Sequence, residues 1–251
     1  SVARRISGSD MTATVAVRPA TMLYPAWVST MLPLPTTDPT SGRPFTMDLK
    51  AVKAATARTE GRLHLTPLLS SAGAADALRR SSGIVIGDGR VRLKSEHLQH
   101  TGSYKVRGML NRVVAFIDHF GIDEVKRRGI VTFSAGNAAA AYAWAGRSFG
   151  IPVRVVMPKS AVPAKIAACR AYGAEVHLVD GLMGEAGVLK DALIAEHGCI
   201  DAHPFDDPYV IAGHGTLGAE ILDQLPETDV VIGGLGGGGM LCGAAVALKG
   251  L

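Results

Sequence analysis

The rhythm of hydrophobic positions changes at about residue 46. Before it, Thr, Ser, Pro and Met dominate, as in STMLPLPTTDPTSGRP (29–44), and no period of two or 3.6 holds. Residues 1–45 therefore read as a poorly ordered extension. Their arginines, hydroxyl residues and few acids partly match the texture of a transit peptide. From Thr46 onward order sets in. Leu49, Val52 and Ala55 stand at helical spacing, VRLKSE (91–96) reads as a strand, and 103–120 reads as a helix stopped by Gly121. Then strands GIVTF (129–133), VRVVM (153–157), EVHLV (175–179) and DVVIGG (229–234) alternate with helices over 137–149, 163–172, 185–197 and 208–224. Pro163 suits a helix start, and Gly173 and Gly198 suit helix stops. Short apolar strands alternating with helices predict βαβ units, hence an α/β fold with a parallel sheet. The last residue, Leu251, falls inside a helix that starts near Met240, so the expectation is a molecule short of a lobe or a piece of a longer chain.

Composition narrows the class. With 251 residues, 47% of them hydrophobic and 19% charged, the chain can bury a large core as one big domain or two lobes. No run of apolar residues is long enough to span a membrane. The net charge is +4, of which Arg4, Arg5, Arg18 and Arg43 against Asp10 and Asp38 supply +2. That dispersed surplus is not a nucleic-acid footprint. The densest basic cluster, KRR at 126–128, reads as a solvated helix end. Cys169, Cys199 and Cys242 are odd in number and share no CxxC spacing, which signals neither a disulfide framework nor a zinc site and points to a reducing, cytoplasmic compartment.

Parallel sheets bind ligands at the carboxyl ends of their strands, which draws attention to two loops and one lysine. In FSAGNAAAA (133–141) a strand ends and a helix begins. Amides at that helix start attract an anion, and Ser134 and Asn137 add neutral donors. Taken alone, a plain strand-to-helix turn is the better explanation. In GGLGGGGMLCG (233–243), Gly236, Gly237, Gly238 and Gly239 follow a strand and open a helix. A backbone without Cβ atoms can wrap a phosphate closely. The run sits between apolar elements, which argues against a flexible linker. Gly234, Gly236 and Gly239 also satisfy GxGxxG, but the acid that reading requires would lie past the end of the sequence, and GK[ST] is absent. Finally, HTGSYKVRG (100–108) sets Lys105 at a helix start, where dipole and burial both disfavour its charge. A neutral amine condenses with aldehydes. Each feature has a bland reading, a surface lysine in this case. Together, an amine, a phosphate cradle and a second anion site after strands of one sheet suggest pyridoxal phosphate and an amino-acid carboxylate.

These residues carry a resemblance. HLQHTGSYKVRG, SAGN, HPFDDPYVIAGHGT and GGLGGGGMLCG are similar, in order and spacing over about 47–251, to the fold-type II pyridoxal-phosphate enzymes, whose two-lobed fold is tryptophan-synthase-beta-like. The nearest branch is that of the threonine/serine dehydratases (threonine ammonia-lyases), with serine racemase related. The resemblance implies that Lys105 is the Schiff-base lysine and the base for the substrate Cα proton. It implies that Gly236, Gly237, Gly238, Gly239 and Met240 hold the cofactor phosphate and that Asn137 bonds the pyridine hydroxyl. Ser103, Ser134, Ala135, Gly136 and Asn137 would bind substrate. A small lobe would span 129–206, and a large, incomplete one 47–128 and 207–251. The implied reaction is β-elimination from L-threonine or L-serine to a 2-oxo acid and ammonia. A small amino acid would be the partner, with neither nucleic acid nor membrane, and a homo-oligomer is left open.

Three departures from the family pattern stand out. Ala138, Ala139 and Ala140 follow SAGN where the family has His-Ala-Gln, so a carboxylate contact is expected to be lost at Ala138. Ala135 replaces the racemase's second serine, which favours elimination over racemisation. The family's pyridine-nitrogen partner and metal carboxylates would lie beyond Leu251, so no metal ligand is assigned. A racemase-like or β-replacement enzyme, a nicotinamide-binding domain and a non-catalytic pyridoxal-binding scaffold remain alternatives. His97, His100 and His214 are expected to make local hydrogen bonds, and Asp206 and Asp207 to start a helix at Pro208.

Overall fold

A computed structural model describes residues 12–16, 37–38, 42–83, 90–181 and 183–250. In chain order its elements are β1 (Thr12–Ala16), α1 (Leu49–Thr59), β2 (Leu68–Ser70), α2 (Ala72–Ser82), β3 (Arg92–Lys94), α3 (Lys105–Phe120), α4 (Ile122–Arg128), β4 (Ile130–Phe133), α5 (Asn137–Phe149), β5 (Val153–Pro158), α6 (Pro163–Ala171), β6 (Glu175–Val179), α7 (Met183–His197), β7 (Ile200–Asp201), α8 (Pro208–Gln224), β8 (Val230–Gly234) and α9 (Gly239–Gly250). No helix among the described residues is long and apolar enough to cross a membrane.

The centre is a four-stranded parallel sheet in the order β6-β5-β4-β7. Side chains alternate across a strand, so each strand serves two layers. Ile130, Val153, Val155 and Met157 pack with the alanines of α5 and with Val106, Met109, Leu110 and Val113 of α3. Their neighbours Val131 and Val156 point the other way, against Ala186 and Leu193 of α7. The run Ala138 to Ala141 leaves α5 smooth enough to lie between sheet and α3. On the far side of α3, Leu217 and Ile221 of α8 pack with Ala244 and Leu248 of α9.

Helix ends follow their sequence signals. Asp48, Ser71 and Asp207 accept hydrogen bonds from the first-turn amides of α1, α2 and α8. Asp207 also lies 2.8 Å from Arg112 Nε, an ion pair buried on both sides. The KRR cluster is the last turn of α4.

The structure departs from the sequence reading in several places. DVVIGG does not join the parallel sheet. Its strand β8 pairs antiparallel with β1 in a separate two-stranded sheet. The SAGN and glycine turns therefore follow strands of two different sheets, not one. VRLKSE yields only Arg92–Lys94 before a 3₁₀ turn, and pairs with β2. The helix expected from Ser103 begins at Lys105, because Ser103 is extended and Thr101 takes a left-handed φ of 62°. Of the stretch 1–45, most lies outside the described residues. Within it, Thr12–Ala16 is a strand rather than irregular chain, and Thr37 bridges Pro44. Helix α2 and the short strands β2 and β7 have no counterpart in the reading from sequence, and of α4 only its basic end, KRR, was read.

Candidate active site

Three segments converge on Lys105. The first is its own turn. Ser103 is buried, with its Oγ lacking a hydrogen-bond partner, and Thr101 Oγ1 is in the same state. Lys105 opens α3 and its Nζ lies 5.4 Å from the Tyr104 ring centroid. Burial pushes the Lys105 pKa down, as the sequence reading anticipates.

The second segment, 203–206, links β7 to α8. The Pro204 carbonyl accepts from Lys105 Nζ at 3.3 Å. His203 Nδ1 accepts from the amides of Phe205 and Asp206, at 3.3 and 2.8 Å, which curls the chain into a tight strap. The strap is anchored at its other end, where Tyr142 OH of α5 donates to the His203 carbonyl at 2.8 Å.

The third segment is the glycine loop between β8 and α9. A Cβ on Gly237 would lie 2.5 Å from Phe205 Cδ2, so the strap's aromatic ring rests directly on the loop backbone. Gly238 has φ +80°, a conformation that side-chain-bearing residues rarely adopt, whereas Gly236 faces open space. Gly239 is the first residue of α9, so the loop delivers its amides to a helix N-terminus. Met240 reaches back toward β8: a Cβ on Gly233 would lie 2.8 Å from its Cε.

The SAGN turn forms as predicted but is engaged elsewhere. Ser134 N continues the β4–β5 ladder to the Val156 carbonyl at 3.1 Å. Ser134 Oγ accepts from Gly136 N at 3.3 Å. Asn137 Oδ1 accepts a hydrogen bond from Lys165 of α6, a residue with no signal in the sequence. Ala135 packs against the edge of the main core. Ala138, expected beside a carboxylate, is instead buried inside that core at 4% exposure. The strap is what joins this side to Lys105, since the Phe133 ring at the end of β4 meets His203 at 6.2 Å.

A buried charge network holds the start of α3. Arg107 donates to both oxygens of Glu96, each at 2.8 Å, and to Glu220 at 2.7 Å. Lys94 shares Glu220 and also donates to the Thr66 carbonyl at 2.7 Å. Burial opposes ionisation of Glu220, but hydrogen bonds from Arg107 and Lys94 outweigh it and hold its pKa low. The network links β3, α3 and α8 two residues from Lys105.

The histidines divide. His97 is exposed. His100 lies between the rings of His64 and Trp144, with centroids 3.8 and 4.5 Å away. His214, expected to make local hydrogen bonds, makes none. It is fully buried in α8 and both ring nitrogens lack partners. Its position depends on α8 crossing α3, which cannot be read from a single sequence.

This set suits an aldehyde-bearing anionic cofactor. It offers a desolvated amine, a glycine cradle at a helix start, and buried hydroxyl and imidazole groups awaiting partners. A parallel α/β core with such a site defines a class, and the chain belongs to it: residues 65–251 match the family of the pyridoxal-phosphate dependent enzymes. Within that family it is 43% identical over 161 residues to an L-threonine ammonia-lyase of Thermotoga maritima, covering 64% of this chain and 39% of the relative. It is 37% identical over 203 residues to the catabolic L-threonine dehydratase TdcB of Staphylococcus aureus, covering 81% and 55%. Among solved structures, maize serine racemase aligns over 82% of this chain and 58% of its own, with a TM-score of 0.70 and 30% identity. The chain thus spans about half the length of the relatives it matches, or less.

Proposed function

We propose that this chain carries the pyridoxal-phosphate site of an ammonia-lyase acting on L-threonine or L-serine. The observation that supports this most is the half-buried amine of Lys105, its pKa lowered by desolvation, joined through the 203–206 strap to the glycine loop. The names of the relatives, L-threonine ammonia-lyase and L-threonine dehydratase, fit the same reaction. When bound, pyridoxal phosphate supplies the electron sink that makes the substrate Cα–H acidic.

The chain's own residues do the rest. Lys105, whose pKa burial lowers, would hold the cofactor through its aldehyde, and its Nζ, once free again, would take the Cα proton. Amides of Gly236, Gly237, Gly238 and Gly239, with Met240, receive the phosphate. Asn137, which accepts from Lys165 in the structure, would bond the ring hydroxyl. Ser134, the amides around Ala135 and Gly136, and Ser103 orient the substrate carboxylate. Loss of the β-hydroxyl as water leaves an enamine that hydrolyses to the 2-oxo acid and ammonia. Ala135 has no group to deliver a proton to the opposite face of Cα, which favours elimination over racemisation. In this reading 129–206 forms the small lobe, and 47–128 with 207–251 the large one. The three free cysteines suit a cytoplasmic setting.

The test is borohydride reduction of the chain with pyridoxal phosphate, followed by peptide mapping. A single adduct at Lys105, lost in Lys105→Ala, is expected. An adduct retained on another lysine overturns the assignment. Release of 2-oxo acid from threonine then separates an enzyme from a binding scaffold.

A further inference from the structure

His214 is a fully buried imidazole beside Lys105. It is 1% exposed, and neither Nδ1 nor Nε2 has a hydrogen-bond partner. Its ring lies between the two helix starts that frame the candidate cofactor site. A Cβ on Gly108 of α3 would meet His214 Cε1 at 2.6 Å and Nδ1 at 2.9 Å. On the other side, a Cβ on Gly239 at the start of α9 would meet Cδ2 at 3.8 Å. Nε2 is bonded to both of those ring carbons, so it sits on the edge that runs from α3 to the glycine loop. The Tyr104 ring closes a third side, with centroids 5.0 Å apart. Gly108 thus clears room for an imidazole whose polar atoms are left unused. Buried polar groups in folded proteins almost always have partners.

The surroundings also fix its charge state. Burial, with the nearby charges of Lys105 and Arg107, holds the His214 pKa well below the ordinary histidine value. A neutral imidazole keeps one N–H to donate. The glycine loop at the start of α9, read as an anion cradle, is where an acceptor for that N–H would sit.

We propose that His214 contacts the cofactor phosphate, with Nε2–H donating a hydrogen bond to the anion held by Gly236–Gly239. The proposal rests on the pyridoxal-phosphate reading above and adds a side-chain donor to a cradle otherwise made of backbone amides. It also fits the glycine at 108, since a side chain there would displace the ring.

The test compares pyridoxal phosphate with pyridoxal, which has the same ring and aldehyde but no phosphate. Dissociation constants are measured by absorbance for the unmodified chain, His214→Gln and His214→Leu, together with the melting temperature of each without ligand. His214→Leu should weaken pyridoxal phosphate by about ten- to a hundredfold, the factor for one hydrogen bond to a charged group, and leave pyridoxal unchanged. His214→Gln, which keeps an N–H, should lose less. Equal weakening of both ligands, or of neither, overturns the proposal and makes His214 a packing residue. Should the variants not fold, ¹⁵N shifts of His214 in the unmodified chain decide it. A shift of Nε2 on adding pyridoxal phosphate but not pyridoxal supports the contact, and its absence overturns it. Failure of the unmodified chain to bind either compound sinks the cofactor reading itself, and this inference with it.

Discussion

Lys105 and His214 are neighbours whose burial acts on them in the same direction. Both lose affinity for a proton, and for His214 this has a consequence for stability. In the unfolded chain the imidazole returns to its ordinary pKa of 6.5. Below that pH the unfolded chain takes up a proton that the folded chain refuses, so stability falls on acidification. One such group gives a slope of about 1.4 kcal/mol per pH unit between its unfolded and folded pKa values. Urea unfolding between neutral pH and about pH 5 should show this slope, and His214→Gln should remove it. Equal acid sensitivity in the two proteins would mean that His214 is not held neutral. Ala138 gives a second prediction. Packed in the core at 4% exposure, it leaves the histidine that the family pattern places there to displace its neighbours. Ala138→His should cost about 1–3 kcal/mol by overpacking, measurable as a lower melting temperature, rather than improve substrate binding. At this scale the sequence was legible where local chemistry decides. Lys105 at a helix start and four glycines after a strand announce themselves. Pro204, Phe205, Lys165 and His214 do not, because each acts through a partner supplied by a distant element.

At the scale of elements, the start of α3 is pinned by charge. Arg107 is 1% exposed and divides its five N–H groups mainly between Glu96 and Glu220. Arg107→Met would leave the half-buried Glu96 and Glu220 carboxylates with Lys94 alone to offset them and should cost about 3 kcal/mol, read from the urea midpoint. Arg107→Lys should rescue little, since an ammonium cannot reproduce the two-pronged contact with Glu96. The glycine loop is set by backbone shape. Gly238→Ala forces a Cβ into a left-handed conformation at about 1–2 kcal/mol, and Gly237→Ala drives Phe205 off the loop. Both variants should bind pyridoxal phosphate more weakly, and Gly237→Ala should also change the packing of the strap. Helix positions were readable from period and caps to within about a turn. The start of α3 comes two residues later than the reading from sequence, because Ser103 is extended and Thr101 is left-handed ahead of it. The separate sheet of β8 was also hidden, since an apolar strand before a helix looks the same whichever sheet it joins.

The whole molecule is legible as a class: alternating elements give a parallel sheet with helices on both faces, and the family match bears this out. How α3, α8 and α9 meet is a matter of missing side chains rather than present ones. A Cβ on Gly213 of α8 would lie 2.6 Å from the Arg107 carbonyl and 2.7 Å from Gly108 Cα. On the opposite side, a Cβ on Gly218 would lie 2.6 Å from the Ala244 carbonyl, and one on Gly243 would lie 2.1 Å from the Ile211 carbonyl. Three helices therefore touch backbone to backbone. Gly213→Ala should lower the melting temperature and also weaken pyridoxal phosphate binding, because it pushes α3 away from α8. A loss of stability with unchanged binding would show that the spacing does not matter to the site. If it does matter, the gap between the amine and the phosphate cradle has no adjustable spacer. Most distances in a protein can be tuned by exchanging one side chain for a slightly larger or smaller one. Here the smallest step available is a whole methyl group, so this dimension of the site is effectively quantised and can change only by a coordinated shift of entire helices.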